Sequence, residues 1–142
     1  MSRHQKRLRD PLRYSLTQLE EVNWGPPDHS SSLVQDVHRL RDVPLKDLSI
    51  GDIRLLIGQS VGLRYLVPVA LDSLERDPLA EGTFYRGDLL VFVTKIPPSF
   101  WDTYANLKSR AREVAMNVLD SNDAEVSDHV KTSLQRFLTL TK

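Results

Sequence analysis

The apolar residues of this chain fall into short runs with helical spacing, separated by breaks that contain proline or glycine. In Ser15-Leu-Thr-Gln-Leu-Glu-Glu-Val22, Ser15 and Gln18 have the spacing of a capping box, which satisfies orphan amides at a helix start, and Trp24-Gly-Pro-Pro27 then stops the run. Leu33, Val34, Val37 and Leu40 recur behind Ser32, with Gln35 placed as a reciprocal cap, and predict a helix of about ten residues ending before Pro44. Ser49-Ile-Gly-Asp52 repeats the capping logic ahead of Ile53, Leu55, Leu56 and Ile57. Leu63, Leu66, Val67, Ala70, Leu71 and Leu74 form the clearest stripe, with Arg64, Pro68, Asp72 and Glu75 on the other side. Pro68 has no amide for the carbonyl of Arg64 and is expected to kink or restart this helix. Asp77-Pro78 marks its end, and residues 77–87 read as an irregular loop tied down by Leu79, Phe84 and Tyr85.

Residues 88–96 are a continuous apolar run that periodicity cannot assign. Val and Thr favour a buried strand, but Asp88 is a good N-cap and a lone strand would lack a pairing partner, so helix is the expectation. After Pro97-Pro98, Ser99 is placed to cap a helix that runs from Phe100 through Leu107, Ala111, Val114, Ala115, Val118 and Leu119. Val126, Val130, Leu134, Phe137 and Leu138 make the last one. The fold expected is an all-α bundle of about six or seven helices, one kinked at Pro68.

Composition refines this. The chain has 142 residues, no cysteine, and equal numbers of basic and acidic groups, 19 each. Thiol catalysis and Cys-based metal sites are thereby excluded. The balance conceals two unlike regions, since residues 1–13 hold Arg3, Lys6, Arg7, Arg9 and Arg13 against Asp10, leaving a net charge of −4 elsewhere. Residues 1–13 read as a basic, disordered tail and residues 14–142 as one helical domain. Neither a secretory signal nor a membrane span of about 20 apolar residues is visible, which predicts a soluble cytoplasmic protein.

Candidate chemistry is sparse. His4, His29, His38 and His129 are scattered without metal-ligand spacing, so no metal is expected. Gly82-Thr-Phe-Tyr-Arg-Gly87 has the glycine spacing of a phosphate loop, but Asp88 stands where its lysine belongs and would repel phosphates. Asp28-His29-Ser30 collects triad letters without a nucleophile elbow, and capping explains them better. What stands out is acid. Asp72, Glu75, Asp77, Glu81 and Asp88 form one cluster, and Asp120, Asp123, Glu125 and Asp128 a second without a basic residue. Caps and solvated faces account for most such residues, and Asp72 can pair with Arg76 at i+4. The alternative is an acidic docking face for a basic protein. Among the aromatics, Tyr85 and Trp101 lie next to loops, where they are placed to anchor an interface.

The order of the pieces is informative as a whole. Asp52-Ile-Arg-Leu-Leu-Ile-Gly-Gln59, Gly62-Leu63, Leu66-Val-Pro-Val-Ala-Leu71, Leu74, Asp77-Pro78, Gly82, Tyr85 and Gly87-Asp88-Leu-Leu90 resemble the immunity proteins of contact-dependent growth inhibition (CDI) systems, over residues 16–101. The resemblance implies a cytoplasmic, non-enzymatic binding protein of a Gram-negative bacterium, without cofactor. Its partner would be the C-terminal toxin domain of a cognate CDI effector, commonly a nuclease, with its active site or substrate approach blocked. Carboxylates opposite a phosphate-binding cleft imitate its substrate, which places Asp72, Glu75, Asp77, Glu81, Tyr85 and Asp88 on the toxin-facing side, with residues 120–128 as the second candidate. The competing reading is a small helical nucleic-acid-associated regulator using the basic tail, and a third is a subunit of a helical enzyme complex.

Overall fold

The computed structural model describes residues 2–28 and 31–142, so His29 and Ser30 lie outside the described residues. Among these it contains nine α-helices and no strand: α1 (Arg3–Arg9), α2 (Leu16–Glu20), α3 (Ser32–Leu40), α4 (Ile50–Gly58), α5 (Leu63–Arg76), α6 (Asp88–Thr94), α7 (Pro98–Thr103), α8 (Ala105–Asp120) and α9 (Asp128–Leu140). Short 3-10 turns at Pro11–Arg13 and Leu45–Asp47 link the first of them. The all-α expectation holds, and the count exceeds six or seven for two reasons given below.

Serines set several helix starts. The Gln18 amide donates to Ser15 Oγ at 3.2 Å, and Gln18 Oε1 accepts from the Ser15 amide at 3.0 Å. Ser49 and Asp52 form the same reciprocal pair at the head of α4. At α3 the cap is Ser31 rather than Ser32, accepting from Val34 at 3.3 Å. The reciprocal position therefore falls on Val34, which has no polar group to return. At α6 the capping position is Gly87, with φ +91°, and Asp88 is the first helical residue instead of the cap.

The first added helix is α1, within the segment read as a disordered tail. Ser2 and Gln5 form a capping box there, Arg7 Nη1 donates to the Gln18 carbonyl at 2.8 Å, and no residue of α1 is buried. The second comes from a break at Tyr104 (φ −115°, ψ 68°), which divides one expected helix into α7 and α8. The helix start at α7 is Pro97-Pro98, whose preset φ needs no hydroxyl, and Ser99 is not its cap. Pro68 does not restart α5, which is assigned as one helix with Leu66, Val67, Ala70, Leu71 and Leu74 buried on both sides of it.

The ambiguous run at 88–96 is helical because it is central. α6 packs against α4 and α9, and Leu89, Leu90, Val91 and Val93 are all fully buried. With only Phe92 and Thr94 partly exposed, α6 has no charged face that would betray its period. Trp101 also belongs to the core, 1% exposed and edge-on to Phe137 at 5.6 Å, so it is not an interface anchor. Burying the α5 stripe against α8 turns Asp72 and Glu75 outward, and Leu79 seats the start of the connection to α6.

Candidate functional site

Asp72 does not pair with Arg76 along its own helix. Packing of α5 on α8 brings up Arg110, whose Nη2 reaches Asp72 Oδ1 at 2.8 Å and Glu75 Oε1 at 2.6 Å, while its Nε donates to Glu75 Oε2 at 3.1 Å. The forked contact to Glu75 is the geometry guanidinium favours. The hydrogen bonds from Arg110 hold the Glu75 carboxyl below its ordinary value of 4.5, and the two acids push the Arg110 guanidinium further toward its charged form.

A second arginine repeats the arrangement. Arg86 lies 3.5 Å from Asp77 and 3.3 Å from Glu125, so it joins the two acidic clusters that the sequence left separate. Asp77 Oδ1 also accepts from the Leu79 amide at 3.3 Å, and Asp123 accepts from the Glu125 amide at 2.9 Å. Glu81 is exposed and makes no ion pair among the described residues. Asp120, Asp123, Glu125 and Asp128 are exposed as well.

Asp88 is the exception, and its expected place on the toxin-facing surface is corrected. It is fully buried, and its carboxylate accepts from the amides of Gly82 at 2.6 Å and Phe84 at 3.0 Å, with Arg54 Nε 3.7 Å away. The loop amides that a phosphate loop would turn toward its ligand are thus occupied by the chain's own carboxylate. Close approach makes this possible: a Cβ on Gly82 would stand 3.2 Å from the Gly51 Cα and 3.2 Å from Asp88 Oδ2.

Tyr85 is half-buried, its hydroxyl 3.1 Å from His129 Nε2, and burial together with the Asp88 charge raises its pKa. Phe84, read as a residue that ties the loop down, is instead 62% exposed. Its ring receives the buried Arg54 guanidinium at 4.1 Å, and Phe92 takes the same group at 4.9 Å. Arg76 and Arg86 are the basic residues that the sequence sets against the 72–88 acids, but the roles of Arg54, Arg86 and Arg110 are not visible there because each acts across elements distant in the chain. The signal for Arg54 is an arginine inside the otherwise apolar run from Ile53 to Ile57.

These elements make a helical scaffold that displays carboxylates anchored by Arg110 and Arg86 and two exposed aromatic rings, Trp24 and Phe84. Among the described residues, no group of three or more His, Asp or Glu is arranged to hold a metal and no helix is long and apolar enough to cross a membrane. The chain belongs to the CDI immunity proteins, whose family pattern matches residues 18–111. The match runs from α2 into α8, taking in the 72–88 acidic cluster and leaving out the one at 120–128. None of the curated proteins matches the chain.

Proposed function

We propose that this immunity protein neutralises the C-terminal toxin domain of a cognate CDI effector by binding it through Asp72, Glu75, Asp77 and Glu81, with Tyr85 at the edge of the contact. The observation that carries the reading is the charge count around the two arginines. Arg110 is shared by Asp72 and Glu75, and Arg86 by Asp77 and Glu125, so each cation is outnumbered two to one. The face stays negative while its carboxylates are held in position, which suits rapid capture of a basic partner. A toxin that cuts nucleic acid has such a basic cleft, because it must hold phosphates. The chain acts without catalysis of its own, in the cytoplasm, by covering the active site or the approach to it.

The test is calorimetric titration with a catalytically inactivated C-terminal domain of the cognate CDI effector. Reversing Asp72, Glu75 and Glu81 to Lys raises Kd at least about 100-fold with the circular dichroism spectrum unchanged. Unaltered affinity moves the interface to the second candidate patch, Asp120, Asp123, Glu125 and Asp128. Absence of toxin binding by the native chain, together with salt-dependent RNA or DNA binding, replaces this reading by the nucleic-acid regulator.

A further inference from the structure

We propose that Phe84 is the apolar anchor of the toxin interface, inserting into an apolar pocket of the toxin domain beside a cation that meets Glu81. The proposal rests on the reading of the acidic face above and adds to it the residue that sets how long the complex lasts.

Phe84 is the most exposed of the large apolar side chains among the described residues, at 62%. An exposed ring on a loose loop would be unremarkable, but this loop is fastened. Fully buried Asp88 takes the amides of Gly82 and Phe84 itself, and buried Arg54 lies against the ring at 4.1 Å. Buried charges are costly, and here two of them fix the backbone and one face of an aromatic that the fold leaves in solvent. Aromatic anchors that are rigid before binding lose little freedom on association, and they dominate interface energetics.

The surroundings define the partner. Glu81, three positions away, carries a charge with no ion pair among the described residues, and Asp77 lies on the same connection between α5 and α6. A complementary surface therefore offers an apolar recess with a cation on the side that meets Glu81. Next to the ring a cleft of about 450 Å³ has apolar walls at Leu33, Leu55, Phe92 and Ile96, with Arg54 and Lys95 also lining it, and extends the apolar area. Leu33 is itself 40% exposed. The occupant of this surface is the toxin domain, because Glu81, an acid of the proposed toxin-binding face, lies three residues from the ring and so within about 11 Å of it along the chain.

The experiment measures binding of the full chain to the inactivated effector C-terminal domain by surface plasmon resonance. Phe84→Ala raises Kd at least about 30-fold, almost wholly through faster dissociation, and leaves the salt dependence unchanged; Phe84→Leu recovers part of the loss. A second measurement does not depend on any variant folding: 4-fluorophenylalanine at position 84 gives a ¹⁹F signal that shifts on saturation with toxin. Native affinity for Phe84→Ala, or an unmoved ¹⁹F signal in a formed complex, overturns the proposal. So does a dimer of the chain alone that Phe84→Ala dissolves while toxin affinity is kept, since the occupant would then be a second copy. If the triple reversal weakens binding and Phe84→Ala does not, the acidic face stands and the anchor falls. If the native chain does not bind the toxin domain, both fall.

Discussion

Asp88 and Arg54 face each other inside the protein, Oδ2 to Nε 3.7 Å apart, with side chains 0% and 8% exposed. The carboxylate is satisfied chiefly by two loop amides, while the guanidinium lies against the rings of Phe84 and Phe92. The pair therefore joins three parts of the fold: α4, the start of α6, and the loop between α5 and α6.

Removing one member should be far worse than removing both. Asp88→Ala leaves Arg54 buried without its counter-charge and two loop amides without an acceptor, and should cost about 3–5 kcal/mol. The double variant Arg54→Met/Asp88→Asn leaves no buried charge and should lose less than Asp88→Ala alone. Urea denaturation of both variants measures the difference. A loss below about 1 kcal/mol for Asp88→Ala would mean that the loop is held by other contacts.

Gly62 carries a different constraint. Its φ is +65°, and an added Cβ would stand 2.6 Å from Leu16 Cδ1, a side chain that is fully buried and has little room to retreat. Gly62→Ala should therefore cost about 1–3 kcal/mol from left-handed strain, with overpacking in addition. Gly25 supplies the control, since its φ is +71° but nothing lies within 4 Å of the added Cβ. Gly25→Ala should lose distinctly less in the same thermal or urea melts. Equal losses would assign the whole effect to backbone strain.

The capping serines and the helical stripes could be read from the sequence because their partners lie within a turn. Ser15 with Gln18 and Ser49 with Asp52 are three residues apart, and the α5 stripe repeats on the helical period. The site was legible only in part, for the opposite reason. Asp72 has its partner 38 positions away in Arg110, and Arg86 reaches 39 positions to Glu125. Burial inverted two assignments: Asp88, a charged residue at a helix start, went inside, and Phe84, an aromatic in a loop, stayed outside. Both residues take part in one set of contacts across elements, Asp88 with the Gly82 and Phe84 amides and Phe84 with Arg54, which spacing along a chain cannot display.

The Glu75–Arg110 contact should show itself through pH. The folded carboxyl titrates below its ordinary value of 4.5, so its stabilising contribution is fully present above that value and is lost as pH falls through the lowered one. Glu75 is 43% exposed at the side chain, and water screens the pair, so the contribution should stay within about 1 kcal/mol. Glu75→Gln should be slightly less stable than the native chain at about pH 7, and the gap should close toward about pH 3. Added salt should narrow it at neutral pH. A gap that is the same at both pH values would show that side-chain packing, not charge, is what the substitution removes.

Deleting residues 1–9 separates the two functional readings most sharply. The deletion takes away Arg3, Lys6, Arg7 and Arg9 and no acidic residue, and α1 buries nothing. Stability should therefore change by no more than about 1 kcal/mol, the loss being the Arg7 contact to the Gln18 carbonyl and the His4–Glu21 contact. Without its cations the chain is more negative, so association with a basic toxin domain should be a few-fold faster at low ionic strength. The rates should converge as salt shortens the Debye length below about 8 Å. A nucleic-acid regulator that used this segment would behave in the opposite way, losing salt-dependent affinity for RNA or DNA on the same deletion. Stopped-flow association with the toxin domain and a filter-binding titration with tRNA, run on both chains across a salt series, distinguish the two: faster toxin capture with no tRNA affinity to lose supports immunity through the acidic face, and lost tRNA affinity assigns α1 to nucleic acid.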